Sequence, residues 1–269
     1  RAAEVRSEPL SRRGAERHSV PGCLPLNAAA AVAAVALLWL VSEVPGWAIV
    51  RAAGLPQDRF TRLWAGLVLM SVAGLALAQA GRFSLVSLLG VIAGVVVASL
   101  VLGRRASVAA TPRATRACDL LAGITALAVV VWSWPPYETV LAASDSTMYV
   151  SAGVHLARTG SLAVRDSLGP LLPREAAGAL FSSVGFFGAG RFIRLPGGLL
   201  MPTLEASHAT PAFFPLLPVW VAVLALGGGP AAAVLVAPVF TALALWSVVL
   251  FAGETLGLVS AAATALMLL

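Results

Sequence analysis

The sequence predicts an all-α membrane protein: a polytopic helical bundle with one long external loop that carries short juxtamembrane helices. Three observations lead there. The chain is 59% hydrophobic and only 11% charged, against about 25% charge in an ordinary soluble domain. Apolar runs recur that are long enough to cross a hydrocarbon core of about 30 Å, which takes about 20 residues. One long polar segment, 136–210, separates two sets of these runs.

The elements follow in chain order. A polar tail, 1–26, comes first. The N-terminal membrane region, 27–117, holds apolar runs at 27–50, 63–80 and 83–103 and ends in the basic link "GRRASVAATPRATRACD". Glu43, Pro45 and Gly46 interrupt the first run, which reads as a span or as a short span followed by an interfacial stretch. Gly90 and Gly94 form a GxxxG, a weak signal for close helix packing. The core region, 118–269, has runs at 118–135, 211–227, 231–252 and 256–269, with the loop 136–210 between the first two. The chain begins at Arg1 and the last run stops at Leu269 without a polar flank, so it reads as the N-terminal part of a longer membrane protein.

Charge bears on orientation and partners. All 18 basic residues are arginine, which reflects coding bias and is no evidence for nucleic acid. The net charge of +6 suits basic loops against anionic membrane lipid. Aromatic residues are sparse away from membrane edges, so no base-stacking surface is expected. Cys23 and Cys118 have neither metal-ligand nor CxxC spacing and read as structural thiols. Arginine counting gives seven (51, 59, 62, 104, 105, 113, 116) against six (1, 6, 12, 13, 17, 82) for the two orientations. We take the 104–117 link as cytoplasmic, because it directly precedes the best-defined span, and 136–210 as external.

Within the loop, Glu138, Asp145, Asp166, Glu175 and Glu205 balance Arg158, Arg165, Arg174, Arg191 and Arg194. A simple polybasic lipid anchor is thereby excluded. Ser144, Asp145 and Ser146 offer capping side chains for a helix from about Thr147 to Arg158, with Gly160 as its left-handed stop. Tyr149, Ala152 and Leu156 share one face, flanked by Val150, Val154 and Ala157, and such a helix is expected to lie along the membrane surface. Trp132, Trp134 and Tyr137 mark the interface just before it. Asp145 then has two readings: a helix cap worth about 0.5–2 kcal/mol, or a catalytic base placed between lipid and water. "GFFGAG" (185–190) lacks a strand–helix setting and reads as a turn or lid. "LPGGLLMP" (195–202) reads as a tight turn. Neither points to ATP or NAD.

A span, then "SDSTMY" and "LARTGSL" in a loop helix, then the proline-punctuated "HATPAFFPLLPVWVAVLALGG" resembles the C-type (GT-C) membrane glycosyltransferases. The similarity is to the group that includes protein O-mannosyltransferases and aminoarabinose transferases. It covers roughly 118–269 and includes Pro211, Phe214, Pro215 and Pro218 at the entry to the next run. Asp145 is followed by Ser146 where the family often has an Asp-Glu pair, which leaves the acceptor and a divalent metal open.

The resemblance implies a polyprenyl-phosphate-linked sugar as donor and a lipid, glycan or protein as acceptor. It implies Asp145 as general base, in a bacterial plasma-membrane enzyme. An arginine fork would stabilise the leaving phosphate, with Arg158, Arg191 and Arg194 as candidates. Tyr149, Glu205 and His208 are the candidate substrate-binding residues, and this part of the chain alone is expected to be inactive. The alternative is a transporter or flippase, whose sites usually lie at mid-bilayer on interrupted helices. A third reading is a non-enzymatic scaffold with the loop as its partner-binding surface.

Overall fold

The computed structural model describes residues 28–103, 116–134, 145–165, 182–185, 191–195, 199–203, 206 and 208–268. The tail 1–26, the 104–115 part of the link, Tyr137, Ser144, the 186–190 glycine stretch and Glu205 lie outside the described residues. Four helices precede or close the first membrane region: α1 (Ala28–Ala52), α2 (Arg59–Gln79), α3 (Leu85–Leu102) and α4 (Arg116–Trp132). The polar segment contributes α5 (Asp145–Thr159), and α6 (Leu216–Gly228), α7 (Val236–Leu256) and α8 (Leu258–Leu268) follow. Among the described residues, four helical stretches are long and apolar enough to cross a membrane: 28–52, 59–79, 85–102 and 230–256. In the last of these a 3-10 turn, Pro230–Leu235, runs straight into α7. At 17 residues, α4 sits at the short limit of about 17–25 for a span.

The first run is an unbroken helix with Pro45 inside it, long and apolar enough to cross a membrane, which agrees with the first of its two readings. Its apparent breakers form the surface that meets α2. Proline withholds the N–H that the carbonyl four residues earlier would accept, and nearby Ser42 Oγ donates to the Leu38 carbonyl at 2.8 Å. A Cβ on Gly46 would overlap the Arg62 carbonyl oxygen, and one on Gly66 would overlap the Ser42 carbonyl oxygen. The two backbones therefore touch. Glu43 faces Arg62 across the same crossing, with Arg62 Nε 3.0 Å from Glu43 Oε1. The contact is an ion pair and not an aligned hydrogen bond, since Arg62 Nε and Glu43 Oε2 are buried without hydrogen-bond partners among the described residues.

Local caps then fix the helix starts. Asp58 accepts from the Thr61 N–H at 2.7 Å and from Thr61 Oγ1 at 2.8 Å to open α2. Ser84 accepts from the Ser87 N–H at 3.1 Å to open α3.

Two apolar cores result. The larger joins α1, α2, α3, α5, α6 and the 3-10 turn around Leu38, Leu67, Met70 and the α6 residues Val219 to Ala225. The smaller joins α4, α7 and α8 through Cys118, Ala122, Val249, Leu250, Ala261 and Ala265. Trp246 borders both, and Trp64 Nε1 donates to Ser247 Oγ at 2.9 Å to tie α2 to α7.

The 211–227 run does not fold as a span. Its helix, α6, has 13 residues, about 20 Å at 1.5 Å each, against a hydrocarbon core of about 30 Å. Both its ends meet the same end of the α1–α2 pair. Val219 packs on Gly74, and Trp220 Nε1 donates to Ser71 Oγ at 3.0 Å, both in the second half of α2. At its other end, Gly227 and Gly228 press on Ala30, Ala33 and Ala34, near the start of α1. Since α1 and α2 run antiparallel, with Ser42 opposite Gly66, these positions share one end of the bundle. From there α7 runs to the opposite end, where Gly253 meets Cys118 at the start of α4.

The polar segment was expected to carry short helices and turns, and its described residues also form a five-stranded antiparallel sheet, so the chain is not purely α-helical. Its strands are β1 (Val164–Arg165), β2 (Ser182–Gly185), β3 (Arg191–Leu195), β4 (Leu199–Met201) and β5 (His208–Pro211), in the order β1-β5-β4-β3-β2. Buried Met201 and Ala209, with Ile193 and Leu199 against them, form its small core. Strands of two to five residues are too short to display a readable alternation in sequence.

Two outcomes test this architecture. In a chain with Cys23 and Cys118 replaced by serine, Arg82→Cys and Ser161→Cys should react with an impermeant maleimide from one side of the membrane. Leu55→Cys and Thr255→Cys should react only from the other, whereas a crossing α6 would move Thr255 to the Ser161 side. Separately, Gly46→Ala and Gly66→Ala should each destabilise the protein in detergent unfolding by about 1–3 kcal/mol or more, the cost of overpacking. Gly90→Ala and Gly94→Ala meet nothing within 4 Å and should be neutral or stabilising, up to about 1 kcal/mol each.

Candidate functional site

The end of the bundle that carries the polar segment also carries α5, which is held at three places. In its middle, a Cβ on Gly153 would overlap the Val221 side chain and lie 2.9 Å from the Pro218 carbonyl oxygen, so α5 presses directly on α6. At its C-terminus Gly160 adopts φ +75°, the left-handed stop expected from sequence. Its carbonyl accepts the Phe83 N–H at 3.0 Å, docking the helix on the α2–α3 turn. Toward its N-terminus the Tyr149 ring lies 5.4 Å from the Phe213 ring, tilted by 55°.

Leu156 is completely buried, and Val150, Val154 and Ala157 pack into the larger core. The apolar face of α5 is therefore covered by protein, where the sequence suggested membrane. The reason is α6: with no polar face of its own, it offers an apolar pedestal that an amphipathic helix covers more completely than headgroups would.

A cleft of about 310 Å³ opens beside these contacts. Its walls come from Gln79 at the end of α2, Ser161 and Ala163 after α5, and Thr210, Phe213 and Pro215 before α6. Each wall has a local cause. The β1–β5 pairing sets Val164 opposite Ala209 and so brings the 161–163 and 210–213 segments side by side. Ser161 Oγ accepts the Ala163 N–H at 3.1 Å, and Thr159 Oγ1 donates to the Ser161 carbonyl at 3.1 Å. His155 Nε2 lies 3.1 Å from the Ala163 carbonyl. A carbonyl only accepts, so Nε2 carries the proton in that bond.

The residues singled out in sequence fall into three places. Asp145 is the first residue of α5, one turn and about 6 Å along the axis before Tyr149; its side chain is outside the described atoms. Arg158 is exposed near the other end of the same helix, an offset of 13 residues or about 20 Å from Asp145. Arg191 and Arg194 lie on β3 in register with Gly185 and Ser182. Being three apart, these positions occupy opposite faces of the strand. His208 is exposed on β5 in register with Arg165, while Glu205 is outside the described residues. The fold thus brings Tyr149 against Phe213 in the wall of the cleft, sets Asp145 a turn away, and separates Arg158 from Asp145.

Sequence reasoning passed over Gln79, Gly153, His155, Ser161, Thr210 and Phe213. Gly153 carried a usable signal, since it stands at i+4 from Tyr149 and i−3 from Leu156, in the centre of the apolar face. Phe213 adjoins the Phe214 that the resemblance picked out, but Phe214 is exposed and Phe213 forms the wall. Among the described residues no three His, Cys, Asp or Glu side chains are grouped to hold a metal ion. Comparison with family models, with curated proteins and with solved structures gives no match.

The α5–α6 contact is testable by a double-mutant cycle. Gly153→Ala should cost about 1–3 kcal/mol in detergent unfolding. Adding Val221→Ala should recover part of that loss, giving a favourable coupling energy above about 0.5 kcal/mol.

Proposed function

We propose that the full-length protein is a plasma-membrane glycosyltransferase. In this reading it moves a sugar from a polyprenyl phosphate to a lipid, glycan or protein acceptor on the external face, with Asp145 as general base. One observation carries the reading: Asp145 opens α5 one turn before Tyr149, whose ring packs against the Phe213 wall of a cleft at the polar end of the bundle. In this reading a carboxylate at that helix start serves the point where the lipid-borne donor meets its acceptor.

The chemistry is an inverting displacement. Asp145 takes the proton of the acceptor hydroxyl as its oxygen bonds to the anomeric carbon. The bond from that carbon to the phosphate oxygen breaks, and the polyprenyl phosphate leaves with the electron pair. The departing negative charge requires cations already in position. Of the arginines, Arg158 is about 20 Å from Asp145 along the axis of α5, which leaves Arg191 and Arg194 on β3 as the remaining candidates. They need not act together, since they lie on opposite strand faces.

The transport alternative draws on ionisable groups within the bundle. Glu43 and Arg62 are such groups, but they pair with each other where the α1 and α2 backbones touch. A site closed by its own partner at a backbone contact suits structure better than passage.

The test uses full-length protein in vesicles supplied with radiolabelled polyprenyl-phosphate sugars. Asp145→Asn keeps the shape and hydrogen-bonding capacity of the helix start but removes the base, and transfer should fall about 10²–10⁴-fold. Asp145→Glu displaces the carboxylate by one methylene and should retain partial activity. Undiminished transfer by the Asn variant, at equal expression and insertion, would remove Asp145 from the mechanism.

A further inference from the structure

We infer that the cleft beside Tyr149 recognises a neutral, hydroxyl-bearing saccharide ring and discriminates against amino sugars and sugar acids. The inference deepens the transferase reading and rests on it for its purpose, while its argument comes from the lining itself.

Three residues with polar side chains line this space: Gln79, which carries an amide, and Ser161 and Thr210, which carry hydroxyls. Each both donates and accepts hydrogen bonds, as does every sugar hydroxyl. Ser161 Oγ accepts from the Ala163 N–H, which leaves its own O–H as a donor. The rest of the described lining is aliphatic, proline or phenyl, and none of it is ionisable. A protonated amine or a carboxylate on the ring would find no counter-charge among the described lining residues, whereas each hydroxyl finds groups that donate and accept.

Phe213 supplies the other half of pyranose recognition, an aromatic surface for the apolar C–H face of the ring. Its own ring is held by the tilted contact with Tyr149 at 5.4 Å. This assigns Tyr149 a positioning role through Phe213. The volume, about 310 Å³, lies at the lower end of the roughly 300–1,000 Å³ typical of small-ligand pockets. It suits a ring or two, not a long glycan. Gln79 ends α2, so the bound ring would sit at the membrane edge, on the same side as Asp145.

Saturation-transfer NMR on full-length protein in lipid nanodiscs provides the test. The probes are methyl α-glucoside, methyl α-mannoside, protonated glucosamine and glucuronate. At least one neutral glycoside should give a saturable signal, with glucosamine and glucuronate weaker by about tenfold or more. Phe213→Ala and Gln79→Leu should each reduce that signal several-fold. Thr210→Val, nearly isosteric, provides the same reading should either of those fail to fold.

Asp145→Asn should keep the binding signal while losing transfer. Equal response to charged and neutral sugars overturns the inference, as does silence toward every probe, or a signal that survives the lining variants. A neutral glycoside that binds in a wild-type protein unable to transfer would sink the transferase reading and leave the cleft assignment standing. Normal transfer with lining variants that change nothing would do the reverse.

Discussion

The close approach of α1 and α2 at Gly46 and Gly66 is the constraint on which the rest of the molecule depends. No side chain separates the two backbones there, so the helices can neither slide nor rotate past one another without a clash. That fixed antiparallel register brings the start of α1 level with the end of α2. In the low-dielectric surroundings of a membrane, the Glu43–Arg62 pair adds specificity to the same crossing. Its net contribution to stability is small, because both groups give up hydration to meet. Breaking it by removing one partner is costly, since the other charge is left without compensation.

On the platform formed by those two helix ends lies α6, and on α6 lies α5. The hierarchy explains why α6 is apolar around its whole circumference although it is too short to cross. Residues Pro218 to Ala225 are all buried, because α1 and α2 cover one side and α5 covers another. Small residues recur wherever these layers meet: Gly74 beneath Val219, Gly153 above Val221, and Gly227 and Gly228 against the start of α1. Each brings a backbone close enough for dispersion contacts to be made over the full length of the interface. The cleft is a consequence of this stacking. It forms where the α5–β1 and β5–α6 connections leave the pedestal together and cannot fill the corner beside Gln79.

The electrostatic arrangement follows from the same geometry. Among the described residues, the Glu43–Arg62 ion pair lies where α1 and α2 cross, and the polar segment holds a separate set of charges at one end of the bundle. There Arg165 stands on β1 and Arg191 and Arg194 on β3, while α5 holds Asp145 and Arg158 at opposite ends of a rigid rod. A single helix therefore cannot supply both a base and a phosphate ligand to one reacting centre. Any transfer chemistry at this end has to combine α5 with a second element.

Much of this was legible in the amino-acid sequence by itself. Apolar runs of span length, the polar segment, the stop at Gly160 and the amphipathic face around Leu156 all rest on local physics: hydropathy, periodicity and the left-handed freedom of glycine. Interaction between distant segments decided the remainder. Pro45 and Gly46 look like breakers in isolation and become a contact surface only when Gly66 is opposite. The 211–227 run has the hydropathy of a span, and only its contacts with Ala30 at one end and Ser71 at the other keep it on one side. The sheet was invisible because its strands, two to five residues long, reach at most the low end of the roughly four to eight over which alternation can be read, and their pairing closes loops that local sequence does not encode. The cleft depended on all three: a wall residue such as Phe213 has no signature until α5 brings Tyr149 against it.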